Sequence, residues 1–326
     1  MTLVYMFPGQ SSRYPGMLNK LAGINRTCAR LLAEASELLG RDLSAHYRED
    51  NADVFAHNVD VQVGVFLANH MFLQILEEAN LEADVSLGLS LGEYNHLVHI
   101  GALEFSDALR TVEKRGEAYD AGPRGAMASV MPIDALELQE VCQRVANKGV
   151  LEVTNLNSPR QQVLSGETAA LEAALKLLEE DFFVQATIIE RQVPMHCSIF
   201  APVGESFRQH LETVTFHEPR LPYLPNALGT FIDAPTKEDF VGLLSSHVHR
   251  PVLWRKSIDL VVEQWPTATF VEVGAMSVLH NLLQKKWHKV KKLHTDTAEA
   301  TEDHLKLITG ELRGVARTLE FNVHKE

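Results

Sequence analysis

Gly88-Leu89-Ser90-Leu91-Gly92-Glu93 follows an apolar run and precedes a helix-like stretch. A serine between two glycines at this spacing is the pattern of a nucleophile elbow. The strand-to-helix turn is strained, and a Cβ at either glycine would clash within it. Such a turn exposes the hydroxyl and aims the next helix N-terminus at it, which favours a developing oxyanion. Short glycine motifs also occur by chance. The reading therefore turns on whether the rest of the chain supplies a base, an oxyanion donor and a reason for Glu93.

Outward from the elbow, strand-like runs alternate with helical patterns, which predicts an α/β protein with a mostly parallel sheet. Residues 2–7 read as a first strand, 17–40 as a helix, 61–80 as a longer buried helix and 84–89 as the strand entering the elbow. Helices at 91–100 and 103–120 follow, the second stopped by Gly122-Pro123. The texture then changes. Strands at 126–131, 150–156, 161–165 and 183–190, with helices at 134–147 and 168–180, give a β-α-β-β-α-β order, the ferredoxin-like signature. Residues 124–192 are therefore expected as a small domain inserted into a larger one formed by 1–123 and 193–292. Later landmarks are helices at 199–213, 236–245 and 277–287 and a strand at 268–273. Residues 293–326 read as a charged tail with one amphipathic helix near 303–318.

The chain has 326 residues, 45% hydrophobic and 22% charged, an ordinary globular composition. Its net charge of −13 argues against nonspecific nucleic-acid binding. No apolar run is read as approaching the roughly 20 residues of a bilayer span. The N-terminus lacks a basic leader region. Cys28, Cys142 and Cys197 are scattered and odd in number, which points to free thiols in a reducing cytoplasm. The pairs His96/His99 and His247/His249 lack a matching Cys, Asp or Glu cluster, so no metal site is expected.

A serine hydroxyl needs a base within hydrogen-bond reach, usually histidine. Among 15 histidines, most of them ordinary surface or capping residues, His196 is best placed. It lies in Val193-Pro194-Met195-His196-Cys197, where the chain returns from the inserted domain. Phe7-Pro8-Gly9-Gln10 ends the first strand at the carboxyl edge of the sheet, and the Gln10 N–H is a candidate oxyanion donor. The plainer reading is a strand-ending turn. Arg115 has the guanidinium to grip a substrate carboxylate bidentately. From spacing alone, a solvated basic residue is the favoured reading of Arg115.

Taken together, these residues resemble the malonyl-CoA:acyl-carrier-protein transacylase family and the acyltransferase domains of polyketide synthases. The likeness rests on Phe7-Pro8-Gly9-Gln10, Gly88-Leu89-Ser90-Leu91-Gly92-Glu93, Arg115-Gly116, Gly125-Ala126-Met127, Asn157-Ser158-Pro159, Val193-Pro194-Met195-His196-Cys197 and Val273-Gly274-Ala275, in the family's order over about residues 1–290. The resemblance implies an α/β-hydrolase-like large domain with a ferredoxin-like insert. It implies ping-pong transfer, with Ser90 as nucleophile and His196 as base. The backbone N–H groups of Gln10 and Leu91 would form the oxyanion hole. A backbone carbonyl at His247 would orient the histidine, and Arg115 would pair with the malonyl carboxylate. Three positions depart from the family pattern. Leu89 stands where histidine is usual, Met195 where serine or phenylalanine is common, and His247 where glutamine or asparagine is common. Leu89 and Met195 are thus expected to shape the acyl pocket, and the group carried is expected to be malonyl or a relative of it.

The expected enzyme is a monomeric, cytoplasmic acyltransferase, either free-standing or one domain of a longer protein. A coenzyme A thioester is its substrate, an acyl carrier protein its partner, and no cofactor is bound. The nearest alternative is an acyl hydrolase that clears carrier proteins, although such an enzyme gains nothing from a buried cation at Arg115. An ordinary esterase would order its triad Ser, Asp or Glu, then His. A non-enzymatic module would not need Ser90 and His196 together. Carrier proteins are generally acidic, so docking would need a local basic patch. Lys285-Lys286-Trp287-His288-Lys289-Val290-Lys291-Lys292 is the densest, and Arg250, Arg255 and Lys256 form a second.

Overall fold

The computed structural model describes residues 2–296, 306 and 308–313. In chain order the first elements are β1 (Leu3–Phe7), α1 (Met17–Ile24), α2 (Arg26–Leu39), α3 (Leu43–His46), α4 (Asn58–Glu78), β2 (Val85–Gly88), α5 (Gly92–His99) and α6 (Phe105–Asp120). Next come β3 (Ala126–Met131), α7 (Ala135–Arg144), β4 (Leu151–Ser158), β5 (Gln161–Gly166), α8 (Thr168–Glu180) and β6 (Gln185–Glu190). The last are α9 (Ala201–Leu211), α10 (Lys237–His247), α11 (Trp254–Gln264), β7 (Thr269–Glu272), α12 (Val278–Leu282) and β8 (Lys291–His294). The protein is α/β, with one parallel and one antiparallel sheet, and divides into two compact units.

The first unit comprises Met1–Glu113, Pro219–Pro222 and Val261–Glu326. Its sheet has the order β2-β1-β7-β8, with every pairing parallel. Val4, Tyr5, Met6 and Phe7 in β1 are all buried, the signature of a strand covered on both faces. Burying each such side chain contributes roughly 1.5–3 kcal/mol. Tyr5 keeps its hydroxyl satisfied by donating to the Leu81 carbonyl at 2.8 Å. Phe7 stands beside Gly88, and Met6 beside Glu272. The segments after β1, β2 and β7 therefore leave the sheet along one carboxyl edge, where α/β folds build their sites.

Helix α4 runs 21 residues and is apolar enough by length and composition to cross a bilayer, against the expectation that no such run exists. Here it is a core helix, buried almost continuously from Asn58 to Leu73. Its apolar character on every side follows from that position.

The second unit comprises Lys114–Glu218 and Tyr223–Leu260. Its antiparallel sheet has the order β4-β5-β3-β6, the ferredoxin-like arrangement. Helices α7 and α8 share a core with it, built from Ala128, Val130, Leu138, Val141, Leu164, Leu171, Ala174 and Leu178. Asp134 and Glu137 close a reciprocal capping box at the start of α7. These elements fall within 124–192, and the compact unit that holds them is wider.

Several elements differ from expectation. The stretch 17–40 is two helices, because Asn25 leaves helical conformation and caps α2 by accepting from the Cys28 N–H at 3.0 Å. The helix expected at 277–287 ends at Leu282. Helix α11 and strand β8 differ from the sequence expectation, and β8 draws residues 293 and 294 out of the expected tail and into the sheet. Of the helix expected at 303–318, residues 306 and 308–313 are helical and the rest lies outside the described residues.

Candidate active site

Ser90 sits between β2 and α5 with φ 53°, in the left-handed region, and is 6% exposed. The two flanking glycines are steric necessities. An added Cβ on Gly88 would lie 2.0 Å from the Gly92 carbonyl oxygen, and one on Gly92 would lie 2.1 Å from that of Phe7. The elbow is thus pressed between its own helix and the end of β1. Leu89 N–H donates to Phe7 O at 2.9 Å, which extends the sheet bond by one residue. Leu91 then heads α5, where backbone amides and the helix dipole favour negative charge. Glu93 is buried in the first turn of the same helix.

Gln10 belongs to the same neighbourhood. Ser12 N–H donates to Gly9 O at 3.0 Å and closes a tight turn through Gln10. An added Cβ on Gly9 would lie 2.9 Å from Leu89 O and 3.0 Å from Leu89 Cδ2. The Pro8-Gly9-Gln10 turn therefore rests directly on the residue before the nucleophile. Leu89, expected to shape the acyl pocket, lays its side chain against this turn.

His196 lies in the second unit, also with a left-handed φ of 62°. Among the described residues only five non-glycine residues have positive φ, and Ser90 and His196 are two of them. Backbone held in this region costs on the order of 1–3 kcal/mol, and such residues cluster at functional sites. His196 Nδ1 lies 2.7 Å from the His247 carbonyl oxygen. A carbonyl can only accept, so Nδ1 carries the proton and Nε2 keeps its lone pair. The His247 ring stacks on His196 at 4.7 Å between centroids. Burial, then the nearby Arg115 charge, hold the His196 pKa down to about 3, so the imidazole is neutral. Burial, the His196 ring and Arg115 likewise lower that of His247. Arg115 is 1% exposed, with its guanidinium 4.5 Å from the Tyr119 ring centroid. Met195 is buried beside His196.

The structure thus gathers Ser90, Leu89, Leu91 and Gln10 in the first unit, and His196, His247, Arg115 and Met195 in the second. Sequence reasoning missed Tyr119, although one helical turn from Arg115 is the spacing for a cation–π pair. It also missed Asn69 and Asn95 beneath the elbow. No group of three or more His, Cys, Asp or Glu side chains suited to a metal ion occurs among the described residues. Of the basic patches, Lys285, Lys286, Lys289 and Lys291 are exposed. In the second patch, Lys256 donates to Leu228 O at 2.7 Å and Arg255 lies 3.6 Å from Asp259.

The buried histidines make an acid-lability prediction. Burial lowers the pKa of His70 to about 4 and of His96 to about 3, and burial with the Arg220 charge lowers His99 to about 4. An unfolded chain takes up protons below about pH 6.5 that these native imidazoles refuse. Each therefore removes up to about 1.4 kcal/mol of stability per pH unit as pH falls through that window. Glu272, raised to about 7 by burial, acts in the opposite sense and offsets about one of them. The urea midpoint is expected to fall clearly between pH 7.5 and 5.5. An unchanged midpoint would mean that the native imidazoles protonate freely.

The acyl transferase domain family model matches residues 4–304. The malonyl CoA-acyl carrier protein transacylase of Bacillus subtilis (strain 168) is 31% identical over 305 residues, 92% of this chain and 95% of its own. FabD from Acinetobacter baumannii superposes with a TM-score of 0.87 at 26% identity, covering 96% of this chain and 99% of that one. A type II polyketide synthase malonyl-transacylase, solved in complex with its acyl-carrier protein, gives 0.86 at 27% identity, covering 94% and 100%.

Proposed function

This chain belongs to the acyl transferase domain family, and from that premise we propose that it moves a malonyl group from coenzyme A through Ser90 to the phosphopantetheine thiol of an acyl carrier protein. The reading is carried by the likeness to malonyl CoA-acyl carrier protein transacylases over nearly the whole length of both chains. The elbow and the histidine geometry support the roles that follow.

The thioester carbonyl of malonyl-CoA is attacked by Ser90 Oγ as His196 Nε2 takes the hydroxyl proton. Negative charge gathers on the carbonyl oxygen, and the backbone N–H groups of Leu91 and Gln10 receive it. Collapse breaks the C–S bond, and the leaving thiolate takes the proton from His196. Malonyl-Ser90 and free coenzyme A result. In the second half-reaction the carrier thiol gives its proton to His196 and attacks the serine ester, and the proton returns to Ser90 Oγ. The His247 carbonyl holds the imidazole in the required tautomer, so a carboxylate partner is not needed. The Arg115 guanidinium pairs with the malonyl carboxylate, and Leu89 and Met195 contribute to the acyl pocket. A thioester is already activated, and the transfer calls for no redox group or metal. The reading implies a monomeric cytoplasmic enzyme, consistent with its three free thiols, that serves fatty-acid or polyketide synthesis.

The deciding experiment incubates the protein with a panel of acyl-CoAs and follows the intact mass of the enzyme and of added holo carrier protein. Malonyl is expected on both. Release of free malonate without carrier loading would make the protein a hydrolase and overturn the reading. Arg115→Ala is expected to lower malonyl loading about 100-fold, the scale of losing one partner of a buried charge pair. Acetyl loading should change by less than about threefold, because acetyl has no carboxylate to grip. Unchanged malonyl loading would remove the clamp assignment.

A further inference from the structure

Beneath the elbow lies a buried pair of amides that the reaction so far does not use. Asn69, in the middle of α4, is fully buried, as is Asn95 on α5. Asn69 Nδ2 donates to the Pro8 carbonyl at 3.0 Å and to Asn95 Oδ1 at 3.0 Å. Asn95 Nδ2 in turn donates to the Phe66 carbonyl of α4 at 3.0 Å. The pair therefore ties three segments together: α4, the helix that Leu91 heads, and the turn that carries Gln10. Gly274, two residues beyond β7, closes the fourth side. An added Cβ there would lie 2.2 Å from Asn69 Oδ1 and 2.5 Å from the Pro8 ring.

We propose that Asn69 and Asn95 are positioning residues for the oxyanion hole, holding the Gln10 turn and the head of α5 at a set separation. The inference rests on the assignment of Ser90 as nucleophile and of Gln10 and Leu91 as donors. Two primary amides in an apolar core are costly unless they are paired, and leucine would fill such positions with less penalty. Their location explains their presence. The sheet's hydrogen bonding ends with Leu89 N–H on Phe7 O, so the Pro8 carbonyl lies beyond the ladder and takes its bond from Asn69. Rotation of the Pro8 peptide would carry the Gln10 N–H with it two residues later. Asn95 stands one helical turn beyond Leu91, so its bond to α4 fixes the axial position of α5. Only an amide fits the middle of the chain, because it must donate to Pro8 O and to Asn95 Oδ1 at once. An aspartate at residue 69 has no proton to give when ionised and only one when protonated, so it cannot serve Pro8 O and Asn95 Oδ1 together. A misplacement of about 1 Å in such a site costs on the order of 100-fold in rate.

The test uses Asn69→Asp and Asn95→Ala in the full chain, with Ser90→Ala as reference. Leu76→Val, a core change on the same α4 helix, matches lost stability. Three quantities are measured: kcat and KM for malonyl loading, the thermal midpoint, and the rate at which a fluorophosphonate phosphonylates Ser90. That reagent forms a Ser90 O–P bond, releases fluoride and places its phosphoryl oxygen in the oxyanion position. Both asparagine variants are expected to lower kcat about 10- to 100-fold with KM within about threefold. Phosphonylation should slow in parallel, and Leu76→Val should keep its kcat at an equal loss of midpoint. Gly274→Ala, which pushes on the same two groups, should show the same split. If Asn69→Asp does not fold, Asn95→Ala decides. A folded variant with kcat within about threefold of wild type, or a loss confined to KM, overturns the proposal while an inactive Ser90→Ala leaves the serine assignment standing. Loading that persists in Ser90→Ala overturns both.

Discussion

Ser90→Ala is expected to remove the acyl-enzyme altogether, with malonyl loading down about 10⁴-fold or more, since a nucleophile and its base act as a unit. The fold should survive the change. Serine and alanine are similarly strained at a φ of 53°, and only one hydroxyl is lost. A thermal midpoint near that of the wild type, together with no mass shift on the enzyme and no label on the carrier protein, is the expected result. Carrier loading at an undiminished rate would mean direct transfer without a serine ester, and the two-step reading would fall.

Gly88→Ala should be nearly as damaging by a different route. Its Cβ would meet the Gly92 carbonyl oxygen at 2.0 Å and the Glu93 amide nitrogen at 2.4 Å. Both are backbone atoms, so no rotamer change relieves the clash. Either α5 moves away from β2 or the elbow unfolds, and in both cases the Ser90 hydroxyl and the Leu91 N–H lose their relation. A loss of about 3–5 kcal/mol in urea unfolding is expected, at the upper end of single substitutions. Gly23→Ala is the contrast, because an added Cβ there meets nothing within 4 Å. In helix α1 that change should be neutral or stabilise by up to about 1 kcal/mol. Equal midpoints for the two variants would contradict the steric account of the elbow.

Much of this was legible before the structure. The strand, glycine, serine, glycine and helix succession carries its own backbone requirement, and β-α-β-β-α-β order is visible from apolar periodicity. What failed to show has identifiable causes. The division at Asn25 was hidden because buried leucines continue on both sides of it, and only its cap on Cys28 marks the break. Lys291-Lys292-Leu293-His294 looks like a solvated charge run. It becomes a strand only by pairing with β7 at the sheet edge, where lysines are common. At the site, the Gln10 N–H was readable from its turn, whereas the His247 carbonyl was expected only through the family resemblance. The atom of His247 that holds His196 is a carbonyl oxygen, which every residue possesses. Asn69 and Asn95 were polar letters in buried helices, and their meaning depends on Pro8, which is far away in sequence.

The order of strands across the parallel sheet also bears on how the protein is made. Strand β1 leaves the ribosome before β2, which can join it soon afterwards. Its other neighbour, β7, spans Thr269–Glu272 and emerges long after β2. At about 5–20 residues per second, that leaves β1 with one open flank for roughly 10–40 s of translation. Throughout that interval the apolar β1 and the long apolar α4 wait without part of their cover, while the ferredoxin-like module can already close. The unit that carries the nucleophile is begun before the ferredoxin-like module and completed after it, so a nascent chain stalled short of β7 presents an open edge along β1.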